Sequence, residues 1–267
     1  MSSKSTHTEI FYKPLANAGI VITRPAGTGG ALAARVRSLG GRAVLLPGLS
    51  LRIAEDNTAA TKALREARDA EIWIFSSPAT VRFAFRLLPS LRIPRKAHVF
   101  GVGAGTALAL ARRGITAIVP EDRSDSEGLI ALPELASIRG QRVVVVGAPG
   151  GRDLIAPALR RRGARVERVH VYRRERPRLT QRHFDAFASA RNPLITLLSS
   201  AEALTNLVAL VPRALLARLR GQIVVVSSAR LALAARSQGF TEIVQAKSAL
   251  ARDLLAAAQT AIARHRL

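Results

Sequence analysis

The chain has 267 residues, 48% of them hydrophobic, with 41 Lys and Arg against 18 Asp and Glu. That length accommodates two domains with separate cores, and the apolar share excludes a disordered chain. A net charge of +23 favours anionic partners, zero cysteines exclude disulfide and thiolate chemistry, and five scattered histidines lack zinc-ligand spacing.

Residues 1–18 are polar and unpatterned, which predicts a flexible tail without an apolar signal segment. Gly19–Thr23 (GIVIT) reads as a buried parallel strand, followed by a Pro/Gly-rich turn and a helix over Ala31–Leu39 that stops at Gly40-Gly41. Ala43–Leu46 is a second strand; a polar stretch then leads to a helix around Thr58–Arg68. Strand Glu71–Phe75, turn Ser76–Ala79 and helix Thr80–Leu87 follow, then strand Val99–Val102, helix Thr106–Arg113 and strand Ile115–Val119. The second half runs through strand Arg142–Val146, helix Asp153–Arg162 and strand Arg165–Tyr172, which enters the charged segment Arg173–Arg178. Strands Leu194–Leu198, Gln222–Val226 and Glu242–Val244 precede a terminal helix from about Leu250. Alternating strands and helices define an α/β protein with parallel sheets flanked by helices. No apolar run has the length of a membrane span, so a cytoplasmic protein without a membrane partner is expected.

The segments repeat. Ala33–Gly40 (AARVRSLG) matches Ala156–Gly163 (APALRRRG), 123 positions on; Phe75-Ser76-Ser77 before Val81 matches Leu198-Ser199-Ser200 before Leu204; and Val99–Ala111 matches Ile223–Ala235. Three matches in one order predict two similar domains, with a cleft between them as the favoured place for a small-molecule site.

In parallel α/β sheets, ligands bind where strand ends hand over to helix N-termini. Six such turns carry small or hydroxyl residues: Thr23–Gly30, Ser76–Ala79, Gly103–Thr106, Gly147–Gly151, Ser199–Ser200 and Ser227–Ser228. Free backbone amides there can cradle carboxylate or phosphate; the same residues also serve as ordinary helix caps. There is no G-x-x-x-x-G-K-[ST] loop for a nucleotide. Gly101–Thr106 imitates a dinucleotide fingerprint, but its sixth position is Thr and its repeat, around Ser227–Arg230, lacks the glycines. Aromatics are 4% of the chain, too few for a stacking surface on single-stranded nucleic acid. A nucleic-acid partner therefore rests on charge alone and is not expected.

Together these segments resemble uroporphyrinogen-III synthase from Gly19 to about Ala257. The resemblance is carried by Ile20–Pro25, Ala33…Leu39-Gly40, Trp73–Pro78, Val99–Gly103…Thr106-Ala107…Leu110…Gly114, Gly151-Arg152…Leu159…Gly163-Ala164, Val171–Arg174 and Leu197–Ser200. It implies two α/β domains joined by a two-stranded linker, one discontinuous (19–48 with 175–267) and one continuous (49–174). It also implies a cofactor-free reaction, in which the linear tetrapyrrole hydroxymethylbilane is cyclised with loss of water and inversion of its last ring. That substrate is polyanionic, which suits arginines and helix N-termini; a monomer and a handover from the preceding bilane-forming enzyme are further expectations.

By the same resemblance Tyr172 is the candidate general acid for the departing hydroxyl, or else a residue that packs the linker or hydrogen-bonds a substrate carboxylate. Arg24, Ser76, Ser77, Gly103, Thr106, Arg152, Ser199 and Ser200 are candidate substrate contacts. The sequence departs from the family where a hydroxyl often stands in the last repeat: Leu231 occupies that place, with Ser227 or Ser228 as substitutes. A non-catalytic ligand-binding or regulatory protein of the same fold is the alternative reading.

Overall fold

The computed structural model describes residues 13–265 except 122, 124, 151 and 152. The chain divides into two compact units, one taking residues up to Ser50 and from Arg176 onward, the other Leu51–Glu175.

In the first unit the strands are β1 (Gly19–Ile22) and β2 (Arg42–Leu45), separated by helix α1 (Gly30–Ser38). The chain passes into the second unit within β3 (Ser50–Ile53), followed by α2 (Asn57–Glu66) and a short 3-10 turn at Ala67–Asp69. It continues with β4 (Ile72–Phe75), α3 (Pro78–Leu87), β5 (His98–Gly101), α4 (Ala104–Ala111) and α5 (Ser126–Ile130). Then come β6 (Arg142–Gly147), α6 (Ile155–Arg161), β7 (Arg165–His170) and β8 (Tyr172–Glu175). The chain returns to the first unit with α7 (Gln181–Ala188), β9 (Leu194–Leu198), α8 (Ala201–Leu210), α9 (Arg213–Arg220), β10 (Ile223–Val226), α10 (Ala229–Ser237), β11 (Ile243–Gln245) and α11 (Ala251–His265).

The first unit holds a parallel sheet in the order β11-β10-β9-β1-β2; the second holds β5-β4-β6-β7, also parallel. The two orders correspond strand for strand, with β9, β10, β1 and β2 in the places of β4, β5, β6 and β7. The β11 place is held in the second unit by a single bridge from Ile118 to Phe100. The unit β1-α1-β2 thus corresponds to β6-α6-β7, the repeat seen in the sequence.

The central strands are apolar on both faces, so each sheet has two cores. Alternation sends Ile20 and Ile22 to the face covered by α1 and α11, where they meet Val36 and Leu254, while Val21 packs among Leu207, Leu219 and Ala235. In the second unit Ile72 and Ile74 join Leu129 and Leu159, while Trp73 and Phe75 join Phe83, Val144 and Leu110. Each such Ile, Leu or Val contributes roughly 1.5–3 kcal/mol by leaving water.

Three expectations need correction. Residues 13–18 are not a tail: Leu15 and Ala18 have no exposed surface, and the Leu15 amide donates to Leu39 O at 3.0 Å. Two apolar side chains and two backbone bonds, the second from the Arg42 amide to Ala18 O at 2.8 Å, hold a segment that looks polar overall; residues 1–12 lie outside the described residues. Ile115–Val119 contributes one bridge rather than a strand, since Pro120 cannot extend the ladder. Arg165–Tyr172 is not one strand: at Val171 the backbone turns from the sheet, its carbonyl accepting from the Ala54 amide at 3.2 Å, and Tyr172 opens β8, which pairs with β3 in a separate two-stranded sheet.

Candidate active site

Both sheets reverse their strand order between two central strands, β1 and β9 in the first unit and β4 and β6 in the second. Loops leaving the carboxyl ends of strands at such a reversal diverge to opposite faces and leave a crevice.

In the second unit that crevice is a groove of about 450 Å³ lined by Ser76 and Ser77 after β4, Gly147–Gly150 after β6, and Asp153, Arg168, His170 and Arg174. The Ser76 amide donates to Val146 O at 3.1 Å, which ties the two strand ends together. Gly150 closes its turn at φ 78°, a left-handed conformation that side chains resist. Ser77 is the N-cap of α3: its hydroxyl accepts from the Thr80 amide at 3.3 Å, and Thr80 Oγ1 accepts from the Ser77 amide at 3.2 Å. The Ser77 hydroxyl is therefore engaged in capping, and the groove meets the partly exposed Ser76 beside it.

Tyr172 lines an adjoining groove of about 400 Å³ with Ala59, Ala60 and Ala63 of α2; Pro149, Arg168 and His170 line both grooves. Its side chain is nearly buried, 3% exposed, with the ring stacked on Phe83 at 5.2 Å between centroids and the Arg174 guanidinium carbon 5.7 Å from the ring centre. Packing and groove lining coexist in this one residue. Behind it Arg173 Nε donates to Glu175 Oε1 at 2.7 Å, with Arg52 3.6 Å from the same carboxylate. The Arg173 hydrogen bond holds the Glu175 carboxyl below its usual range and raises the Arg173 guanidinium, so that pair is already satisfied.

In the first unit the turns after β1, β9 and β10 share one sheet edge, and Thr23 Oγ1 donates to Leu197 O at 2.7 Å across the reversal. Ser200 caps α8 by accepting from the Ala203 amide at 3.3 Å, and Ser228 caps α10 by accepting from the Leu231 amide at 3.3 Å. Ser199 is exposed and Ser227 half-buried. Arg24 is half-buried: one Nη donates to Ala249 O at 3.1 Å, while its Nε is buried without a partner. Burial pushes its pKa down, yet a guanidinium stays charged under all ordinary conditions.

Not every sequence candidate joins these groups. Gly103 is the N-cap of α4 in an extended conformation, and Thr106 is buried, 3% exposed, one turn inside that helix. Neither lines the groove of Ser76 and Ser77. Arg152 lies outside the described residues. Leu231 is a core residue packed in the cluster of Val224 and Ala235, so the departure at this position is a packing choice. Sequence reasoning passed over His170 and Arg168, which line both grooves. The alternation Arg168, His170 along β7 was the available signal. Among the described residues no group of three His, Asp or Glu converges as metal ligands, and no helix is long and apolar enough to cross a membrane.

Two parallel sheets of one strand order, each with hydroxyl- and glycine-bearing turns at its reversal, define a duplicated α/β protein suited to an anionic ligand. Comparison gives the family. The HEM4 family model, described as "Uroporphyrinogen-III synthase HemD", matches residues 30–256. The uroporphyrinogen-III synthase of Escherichia coli K12 is 32% identical over 250 residues, covering 90% of this chain and 99% of that one; that of Salmonella typhimurium aligns equally well. Two solved structures share the fold. A mutant uroporphyrinogen III synthase from Thermus thermophilus superposes with TM-score 0.59 at 18% identity, covering 92% of this chain and 99% of that one. The Helicobacter pylori uroporphyrinogen-III synthetase gives 0.57 at 14%, with 91% and 99% covered. The chain belongs to the uroporphyrinogen-III synthase (HemD) family.

Proposed function

We propose that this chain closes hydroxymethylbilane into uroporphyrinogen III, inverting the terminal pyrrole ring and releasing water. Family membership along nearly the whole chain carries this reading. The site chemistry supports it. A tetrapyrrole with many carboxylate arms needs cations and free amides, and each charge-assisted hydrogen bond is worth about 1.5–3 kcal/mol. Arg24 meets that need, with a half-buried charge and, among the described residues, no hydrogen-bond partner for its Nε and no ion pair with a carboxylate.

Holding the bilane with its ends together supplies much of the rate, since ring closure becomes intramolecular. The chain's remaining task is to move one proton and to steady one cation. The Tyr172 hydroxyl donates a proton to the departing hydroxyl, which leaves as water, and the phenolate so formed steadies the azafulvenium cation that remains. Ser199, Ser200, Ser227 and Ser228 of the first unit and Ser77 of the second contribute backbone or hydroxyl contacts to the acetate and propionate arms, and Arg152 contributes its guanidinium. In this reading the enzyme works as a monomer in the cytoplasm, needs no cofactor, and takes bilane directly from the enzyme that forms it, because free bilane closes without inversion.

The test is a coupled assay that supplies fresh hydroxymethylbilane and separates the type III isomer from type I by chromatography. Type III as the main product is the expected outcome. Type I alone, at the spontaneous rate, would leave a binding protein of the same fold.

A further inference from the structure

The amino end of the four-stranded sheet, one strand length or about 13 Å from the carboxyl end that bears the candidate site, carries a second depression of about 540 Å³. Its floor is apolar: Phe85 from the last turn of α3, Leu91, Ile93 and Ile115. Its rim is basic: Arg68 before β4, Arg92 and Arg95 before β5, and Arg113 after α4. Asp69 is the single acid in the lining.

Among the described residues the side chains of these four arginines have neither an ion pair nor a hydrogen bond. Arg113 instead lies over the Phe85 ring, its guanidinium carbon 4.9 Å from the centroid. Other arginines of this unit are matched by carboxylates, as Arg142 is with Glu167 at 3.1 Å and Arg173 with Glu175 at 2.7 Å; what sets these four apart is that they gather around one apolar depression. Four unmatched charges around one apolar floor repel one another, and a local anion relieves that repulsion. A bare inorganic anion would leave the partly exposed Ile93 and Ile115 unused, whereas a ligand with a flat apolar body and several acidic groups uses floor and rim together. The volume is that of a small-molecule site.

We propose that this groove is a second binding site, separate from the synthase site and independent of the synthase reading, for a small organic polyanion with a planar apolar body. The other rim guanidiniums take the acidic groups, and the outer plane of the Arg113 guanidinium, backed by the buried Phe85 ring, offers a face for the planar body.

Pyranine, a planar pyrene trisulfonate, serves as the probe, with binding to the full chain followed by fluorescence anisotropy at physiological salt. Saturable binding is expected. The pair Arg92→Glu with Arg95→Glu should weaken one site by about tenfold or more. The pair Arg182→Glu with Arg213→Glu makes the same change in net charge in the first turns of α7 and α9, where acids suit the helix dipole; it should leave affinity within about twofold. Circular dichroism verifies that both variants fold, and type III formation should be unchanged in the Arg92, Arg95 variant. Absence of saturable binding, equal weakening by both pairs, or full retention by the Arg92, Arg95 variant would overturn the proposal. Displacement of pyranine by a short DNA duplex at the same salt would also overturn it, by assigning the rim to nucleic acid.

Discussion

At Tyr172 the ring and the hydroxyl have separable jobs: the ring stacks on Phe83 inside the core of its unit, and the hydroxyl is the proposed proton donor. Tyr172→Phe keeps the stack and removes the proton. Turnover should fall by about a hundredfold, the usual scale for a general acid, with the Michaelis constant within a few-fold; unchanged turnover would remove Tyr172 from the chemistry. Arg24 is read as a binding residue, so Arg24→Ala should raise the Michaelis constant more than it lowers turnover, the pattern of lost uniform binding. Steady-state kinetics with the chromatographic readout decide, and the reverse pattern would move Arg24 toward the reacting rings. The hydroxyls were visible in the sequence as a set, but not their duties. Ser77, Ser200 and Ser228 resolve as N-caps only because the amide three residues on points back at each Oγ. His170 stayed hidden because Arg168 and His170, alternating along one strand, read equally well as an ordinary solvent face.

Helix starts and chain crossings set stability at the scale of elements. Removing the Ser77 hydroxyl (Ser77→Ala) breaks the reciprocal cap of α3 and should cost about 1 kcal/mol, read as a lower urea midpoint at constant slope. Gly48 lies where the chain leaves β2, and a Cβ added there would stand 2.5 Å from the Ala203 Cβ and 2.9 Å from its carbonyl oxygen. The Gly48 carbonyl also accepts from Asn206 Nδ2 at 2.9 Å. Gly48→Ala must therefore push α8 away and should cost roughly 1–3 kcal/mol by the same urea measurement; a neutral result would mean that α8 yields freely. The buried strands were legible because they are apolar at every position. α5, α7 and α9 were not: each is short and half-exposed, and its apolar residues, such as Phe187 and Leu219, commit to a core only once the sheet exists. The split at Val171 was equally invisible, since its cause is a change of partner from β6 to β3.

For the molecule as a whole, a charge of +23 facing a polyanionic bilane predicts electrostatic steering. Raising ionic strength should lower kcat/KM several-fold while kcat changes little, because salt screens the encounter more than the held complex. A flat salt profile would separate the arginine excess from substrate capture. By itself the sequence determined the α/β class, the duplication and the buried strands, because local periodicity and three in-register repeats need no knowledge of neighbours. The family resemblance already joined 19–48 to 175–267; only the tertiary structure decided the strand order β11-β10-β9-β1-β2, and that Leu15 is core rather than tail. Only it could gather Arg68, Arg92, Arg95 and Arg113 around one groove. Each of these depends on strand pairing between residues far apart in the chain, and pairing is chosen by which surfaces bury each other, a quantity no single segment contains.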